Sequence, residues 1–397
     1  MAEWVEKSLG EVTSYIAKGI PPQYTEKYSE NVIYVLNQKC NRDFSVSYEQ
    51  ARLHDLSKKK IAEEKMLKSG DVLINSTGEG TAGRVAQLWN IPSQTTVDGH
   101  MIILRPTSEV DTLYYGYAIK AQQFMIESLA EGSTGQTEIN RKRLQEEITI
   151  SYPKDKKKQH SIAKILEEID KKIEVNNQIN RNLSEQARSV YMETFGKFEK
   201  TKVLEDYPVK IYSGGTPSTS KKEYWEGGDI HWLSSGETAN EFVITTDKTI
   251  TQLGVDNSST KWASKYDVVT ASAGQGHTRG QTTMILLNTC INQSVIVTHA
   301  AKEYMPFIFF NLSGRYEELR VLSDGTSTRG SLTTKIMAKL KMPDVTENTI
   351  IKFSEYAWSV ISQIEVNLKE NEKLACLRDS LLLKLMTGEI DVSDLNI

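Results

Sequence analysis

Apolar residues recur along two stretches of the chain at alternating steps of four and three. In the first they are Ile162, Leu166, Ile169, Ile173, Leu183, Ala187 and Val190, with Asn176, Asn180 and Thr194 in the same phase. In the second they are Phe353, Ala357, Val360, Ile364, Leu374, Leu381 and Leu385, with Asn367, Asn371 and Arg378 completing the series. A stripe of that period is the seam of a coiled coil, so the pattern predicts two long helices, over 155–200 and 346–397. Elsewhere the pattern is shorter. KSGDVLINSTGEGTAGR (68–84) and SKYDVVTASAGQGHTRG (264–280) each run a strand-like apolar segment into a glycine-rich loop, and LYYGYAIKAQQFMIESL (113–129) reads as one or two helices.

These pieces occur twice. Ile173-Glu174-Val175-Asn176 returns as Ile364-Glu365-Val366-Asn367, a shift of 191 residues, and Asn180 and Leu183 match Asn371 and Leu374 at the same shift. GSTGQTEIN (132–140) pairs with GTSTRGSLT (325–333), and Gly19-Ile20-Pro21-Pro22 pairs with Gly215-Thr216-Pro217-Ser218. A period near half the chain is too long for a solenoid and describes a tandem duplication. Each copy holds a mixed domain followed by a long helix, which divides the chain at 1–154, 155–200, 201–345 and 346–397. The expected class is α+β: two mixed α/β domains joined by two long antiparallel coiled-coil helices with pseudo-two-fold organisation. Asn176 and Asn180 are expected to meet Asn367 and Asn371 across the seam and fix its register, because an unpaired amide there is costly.

Length and composition fit this division. The chain has 397 residues, 39% of them hydrophobic and 25% charged, with no apolar run near the roughly 18 residues of a membrane span. The opening MAEWVEKSLGEV lacks the order of a secretory signal, and Cys40, Cys290 and Cys376 are far apart, so a reducing cytoplasm is expected. The net charge of −4 argues mildly against nucleic acid, but a nucleic-acid contact needs only a local basic face.

Catalytic patterns are lacking. GEGTAG (78–83) spells GxGxxG, yet β-like RVAQLWNIP follows where a dinucleotide site requires a helix, and the second copy loses the spacing. There is no GxxxxGK[ST] phosphate loop, no GxSxG elbow around Ser234, and no Asn or Asp followed by Pro-Pro and an aromatic. His54, His100, His160, His231, His277 and His299 form no metal-ligand pair. A duplicated scaffold suits a ligand with two halves better than it suits one active site.

GTPS, YW and GGDI within residues 214–237 resemble the opening of a target-recognition domain in specificity subunits of type I restriction-modification systems. QHSIAKILEEIDKKIEVNNQ (159–178) is similar to the central conserved helix of that family, and LLLKLMTGEIDV (381–392) to the end of its distal helix. The order of domain, helix, domain, helix spans the whole chain. The first domain keeps only Gly19 to Pro22 and Tyr24 of the opening pattern, and the second helix lacks the QxxIAxxL start. The resemblance implies a non-catalytic subunit that reads a two-part sequence in double-stranded DNA, one half-site per domain, with the helices as a spacer ruler. A seam of about 35 residues spans roughly 50 Å, more than one DNA turn of roughly 34 Å. It also implies two modification (methyltransferase) subunits carrying S-adenosylmethionine, restriction subunits carrying ATP and magnesium, and no cofactor, metal or membrane contact of its own.

DNA phosphates are met by Arg, Lys, Ser, Thr and backbone N–H groups, and base edges by Arg, Lys, Asn, Gln and hydroxyls. Those residue types in the glycine loops single out Thr77, Thr81 and Arg84, then Ser133, Thr134, Gln136, Arg141 and Lys142, in the first domain. In the second they single out Thr216, Ser218, Thr219 and Lys221, then Gln275, His277, Thr278 and Arg279, and Thr326, Ser327 and Arg329. Lys154, Lys156, Lys157 and Lys158 lie at the entry to the first long helix, where they are placed to neutralise phosphate. Trp225 and Trp232 are expected to be core. Two other readings stay open: a protein-binding scaffold with a coiled-coil spacer, which the acidic charge favours, and an enzyme built on GEGTAG.

Overall fold

Val72–Asn75 is buried at all four positions, as is Val268–Ala271, because each strand lies inside a sheet with helices packed over it. The chain is seen here as a computed structural model that describes residues 3–132, 137–274, 277–324 and 330–392. It divides into two units, Met1–Lys172 with Leu374–Ile397, and Ile173–Lys373.

In the first unit the main sheet has the order Thr13–Lys18, Met101–Pro106, Val72–Asn75, Val85–Gln87, antiparallel throughout. A second sheet has the order Thr95–Val97, Val32–Leu36, Arg52–Asp55, Tyr24–Thr25, its first pair parallel. Helices Thr112–Ala121 and Gln123–Ser128 add Tyr114, Tyr115, Ile119 and Ile126 to the core. Trp4–Ser8 pairs antiparallel with Thr149–Pro153 and closes the domain just ahead of the long helix.

The second unit repeats the plan. Val209–Ser213, Val295–Ala300, Val268–Ala271 and Thr282–Ile285 stand in the same order as their four counterparts, with Phe242–Val243 added at the edge. In its other sheet Ile230–Leu233 pairs parallel with Thr289–Ile291 and antiparallel with Lys248–Ile250, the same arrangement as Val32–Leu36 with Thr95–Val97 and Arg52–Asp55. Trp232 is buried, and Trp225 meets it edge-on at 5.0 Å, so this pair is core.

One pairing from the sequence needs correcting. The counterpart of Gly19 is Gly214, not Gly215. A Cβ on Gly19 would stand 2.2 Å from the Val97 carbonyl, and one on Gly214 would stand 2.1 Å from the Ile291 carbonyl, so each exit from the main sheet grazes the end of the corresponding strand. Only glycine fits such an approach.

The long helices are Lys156–Phe195 and Glu347–Met386, 40 residues each. In the first unit Ile162, Ala163 and Leu166 share a core with Leu382, Leu385 and Met386. In the second unit Ala187, Tyr191 and Phe195 share one with Phe353, Ala357 and Val360. Rising residue numbers meet falling ones, so the pair is antiparallel. The seam positions are all buried or half-buried, and Tyr191, Phe195, Ser354 and Ile361 widen the stripe because the helices also pack on the domain.

The seam asparagines pair within the second unit. Asn176 Nδ2 donates to Asn371 Oδ1 at 2.8 Å and to Glu370 Oε2 at 2.7 Å. Asn367 Nδ2 donates to Asn180 Oδ1 at 2.7 Å, and Asn371 Nδ2 donates to Asn177 Oδ1 at 2.8 Å. A slip of one turn would set either Asn176 against Leu374 or Asn180 against Ile364 and leave a buried amide without a polar partner, so the network selects one register.

Candidate nucleic-acid interface

The loop between Val72–Asn75 and Val85–Gln87 is a hairpin, with a strand where a dinucleotide site needs a helix. Gly83, at φ +89, lies where a Cβ would meet Glu127 of the covering helix at 2.5 Å, and Gly280, at φ +86, backs onto Leu319 and Tyr316 in the same way. Both hairpins are therefore seated on a helix at the glycine that ends the loop.

In the first domain the hairpin is stitched to a second candidate segment. Ile139 N donates to the Ser76 carbonyl at 2.8 Å, and Thr77 forms an isolated bridge with Glu138. Thr77 Oγ1 lies 2.8 Å from His100 Nδ1. Asn140 accepts from Lys142 N at 2.9 Å and so starts the helix Arg141–Glu147, which leaves Arg141 and Lys142 exposed. Lys18, at the end of its strand, is ion-paired with Glu138. Together Lys18, Glu138, Asn140, Arg141, Lys142 and Gln145 border a groove of about 680 Å³. Burial and then the Arg141 charge pull the Lys18 ammonium below the ordinary lysine range. An anion entering this groove relieves that repulsion.

Arg141 and Lys142 thus share the groove, with Thr77 bridged to Glu138 at its edge, whereas Thr81 turns inward and Arg84 lies along its own hairpin. Thr81 Oγ1 is buried, with no hydrogen-bond partner among the described residues, and Arg84 folds back on the Gly80 carbonyl at 3.1 Å. Ser133, Thr134 and Gln136 lie outside the described residues. The sequence reading missed Lys18, His100, Asn140 and Gln145. Asn140 had a local signal, a capping residue ahead of RKRLQEE, but Lys18 and His100 come from far along the chain and had none.

The lysine run is mostly committed. Lys154 is ion-paired with Glu3, Lys158 with Asp391 at 2.7 Å, and Lys156 donates to the Ser108 carbonyl at 3.1 Å. Lys157 is exposed, with no side-chain partner among the described residues, and is the one lysine of the four left to meet a phosphate. Lys154, Lys156 and Lys158 are thus engaged by carboxylates and a carbonyl of the same unit.

The second domain presents hydroxyls beside one lysine among the described residues. Ser213 Oγ donates to the Val295 carbonyl at 2.8 Å, and Thr216 Oγ1 donates to Gln293 Oε1. Ser218, Thr219 and Lys221 are exposed; Ser218 Oγ is 2.9 Å from Ser220 Oγ, and Lys221 Nζ donates to Tyr224 OH at 3.0 Å. His277 is exposed, its carbonyl accepting from Tyr316 OH at 2.7 Å, and Thr278 packs beside Gly274. Arg279 is a correction. Its side chain is 15% exposed and ion-paired with Asp324 at 2.8 Å, which makes it a strut under the hairpin rather than a finger reaching outward. Gln275, Thr326, Ser327 and Arg329 lie outside the described residues.

Among the described residues no group of three or more His, Cys, Asp or Glu side chains could hold a metal ion, and no helix is long and apolar enough to cross a membrane.

Comparison with known proteins agrees with this layout. A family model described as the type I restriction modification DNA specificity domain matches residues 1–185 and 209–349. The specificity subunit of the type I restriction enzyme HindI from Haemophilus influenzae is 20% identical over 472 aligned positions, covering 98% of this chain and all of that one. That of MjaIX from Methanocaldococcus jannaschii is 22% identical over 425, covering 99% and 95%. The crystal structure of a type I restriction-modification S subunit from M. genitalium shares the fold, with TM-score 0.55 and 17% identity over 99% of this chain and 97% of that one.

Proposed function

The chain belongs to the family of type I restriction-modification DNA specificity subunits, and on that premise we propose that it reads a two-part DNA target, one half-site per mixed domain. As a specificity subunit it is a non-catalytic component of its complex. The observation that carries the two-part reading is the duplication of the fold: the same pair of sheets, with the same helix-seated hairpin, occurs once in each half. Two readers whose loop sequences differ suit two half-sites of unlike sequence. Thr77, Arg141, Lys142 and Lys18 face the first half-site, and Ser218, Thr219, Lys221 and His277 face the second.

The antiparallel helices set the unread spacer. They and the closing strand pairs also offer repeated surfaces for two modification subunits, which bring S-adenosylmethionine, and restriction subunits bring ATP and magnesium. The complex works in the cytoplasm.

Methylation mapping in a cell that carries this chain with its modification subunit tests the proposal. The expected result is one methylated motif of two short specified halves around an unspecified spacer. An unmethylated genome, or a single uninterrupted motif, would overturn it.

A further inference from the structure

In the first unit a strained turn ties the reading hairpin to the long helices. Asn41–Arg42 and Ser45–Val46 form a two-stranded ladder whose connecting residues, Asp43 and Phe44, both have positive φ, 52° and 60°. Asparagine and glycine suit such a turn, and a phenylalanine there is held against its own preference. Two contacts hold it there. The ring of Phe44 packs on Tyr117 at 4.9 Å, and its backbone bridges to Ala86 in the strand that leaves the glycine hairpin. Beside it, buried Asn41 donates to the Arg84 carbonyl at 2.9 Å and to the Leu73 carbonyl at 3.2 Å, spanning both arms of that hairpin.

Tyr117 points the other way with its hydroxyl. It donates to Asp170 Oδ2 at 2.6 Å, and Asp170 Oδ1 receives Arg378 at 2.8 Å, so one carboxylate joins the domain core to both long helices. The surroundings are half-buried and hold two cations. Lys120, which lies over Phe44 at 6.0 Å, is pulled below the ordinary lysine range by burial and then by the Arg378 charge. Burial also works against the Arg378 cation, and its bonds to Asp170 and Asp379 outweigh that. Lys120 Nζ donates to Gln123 Oε1 at 2.7 Å, which leaves Asp170 to take the Arg378 cation.

We propose that Asp170 is a positioning residue for the first reading hairpin, transmitting the setting of the helix pair through Tyr117 and the strained Phe44 turn to residues 76–84. The inference rests on the DNA-reading function above. In it, docking of a partner on the helices and seating of DNA on the hairpin are coupled, because both bear on the same carboxylate.

The test uses the full chain in complex with its modification subunit, the duplex that the wild-type complex selects from a random pool, and a scrambled duplex. Tyr117→Phe and Asp170→Asn should each weaken binding of the selected duplex by about five- to tenfold while leaving the scrambled duplex within about twofold. Phe44→Asn, which accepts the positive φ but removes the ring, should lose as much, and the Phe44→Asn/Tyr117→Phe double variant should lose no more than either single variant. Equal losses on both duplexes, additive losses, or no loss would overturn the role of Asp170. A wild-type complex that binds both duplexes equally would instead overturn the DNA-reading function itself.

Discussion

Asn176 is buried between two partners, and the cost of disturbing it depends on what is left behind. Asn176→Ala should lower unfolding stability by about 1–3 kcal/mol, because Asn371 and Glu370 lose a donor inside the seam. The double variant Asn176→Leu/Asn371→Leu should lose less than the two single leucine variants added together, and denaturant titration of the four proteins measures the difference. Lys157 and Arg141 carry a different kind of prediction. Replacing either with alanine should reduce the slope of log affinity against log salt by about 1 while leaving sequence preference unchanged, as expected of phosphate contacts. Glu365 gives a pH effect. Burial pushes its carboxyl up, but Lys265 at 2.7 Å and Lys369 at 2.6 Å outweigh that and hold it below the usual range. A carboxylate held low adds stability at neutral pH that is lost as acid protonates it. Glu365→Gln should therefore unfold with a shallower pH dependence below about pH 5, read from midpoints along a pH series.

At the scale of elements, the two helices and the two hairpins were visible in the chain, because a period of seven and a strand run ending in glycines are local patterns. The groove was not. His100 reaches Thr77 because Met101–Pro106 pairs with Val72–Asn75, Lys18 is carried in by the pairing of Thr13–Lys18 with the same strand, and Asn140 follows the Thr77–Glu138 bridge; pairing of that kind leaves no spacing to read. The same holds for Arg279, whose residue type suits a base edge but whose position beside Asp324 makes it structural. The sheet exits give a sharp test of the duplicated fold. Gly19→Ala and Gly214→Ala should each destabilise by about 3 kcal/mol, because the new methyl overlaps a backbone carbonyl. Gly227→Ala, whose Cβ meets nothing within 4 Å, should lose only the about 1 kcal/mol of its positive φ. Thermal unfolding of the three variants decides it.

For the whole molecule the prediction concerns the ruler. Inserting one heptad into 176–182 and a matching heptad opposite it in the second long helix adds about 10 Å of helix, roughly three base pairs. The methylated motif should keep both halves and gain that spacer, whereas altered halves would refute the ruler. The sequence by itself determined that the chain is one unit written twice and that each copy ends in a long helix, and its motifs carried the resemblance to a DNA specificity family. The first two properties rest on periodicity and on residue order, both of which survive in one dimension. Only the tertiary structure decided which side chains share a surface. It spent three of four lysines on the domain's own carboxylates and a carbonyl, turned Thr81 and Arg279 inward, and brought Lys18 beside Arg141. Charge and hydrogen-bonding capacity are used up by whichever partner lies nearest in space, and nearness in space is set by strand pairing across a hundred residues.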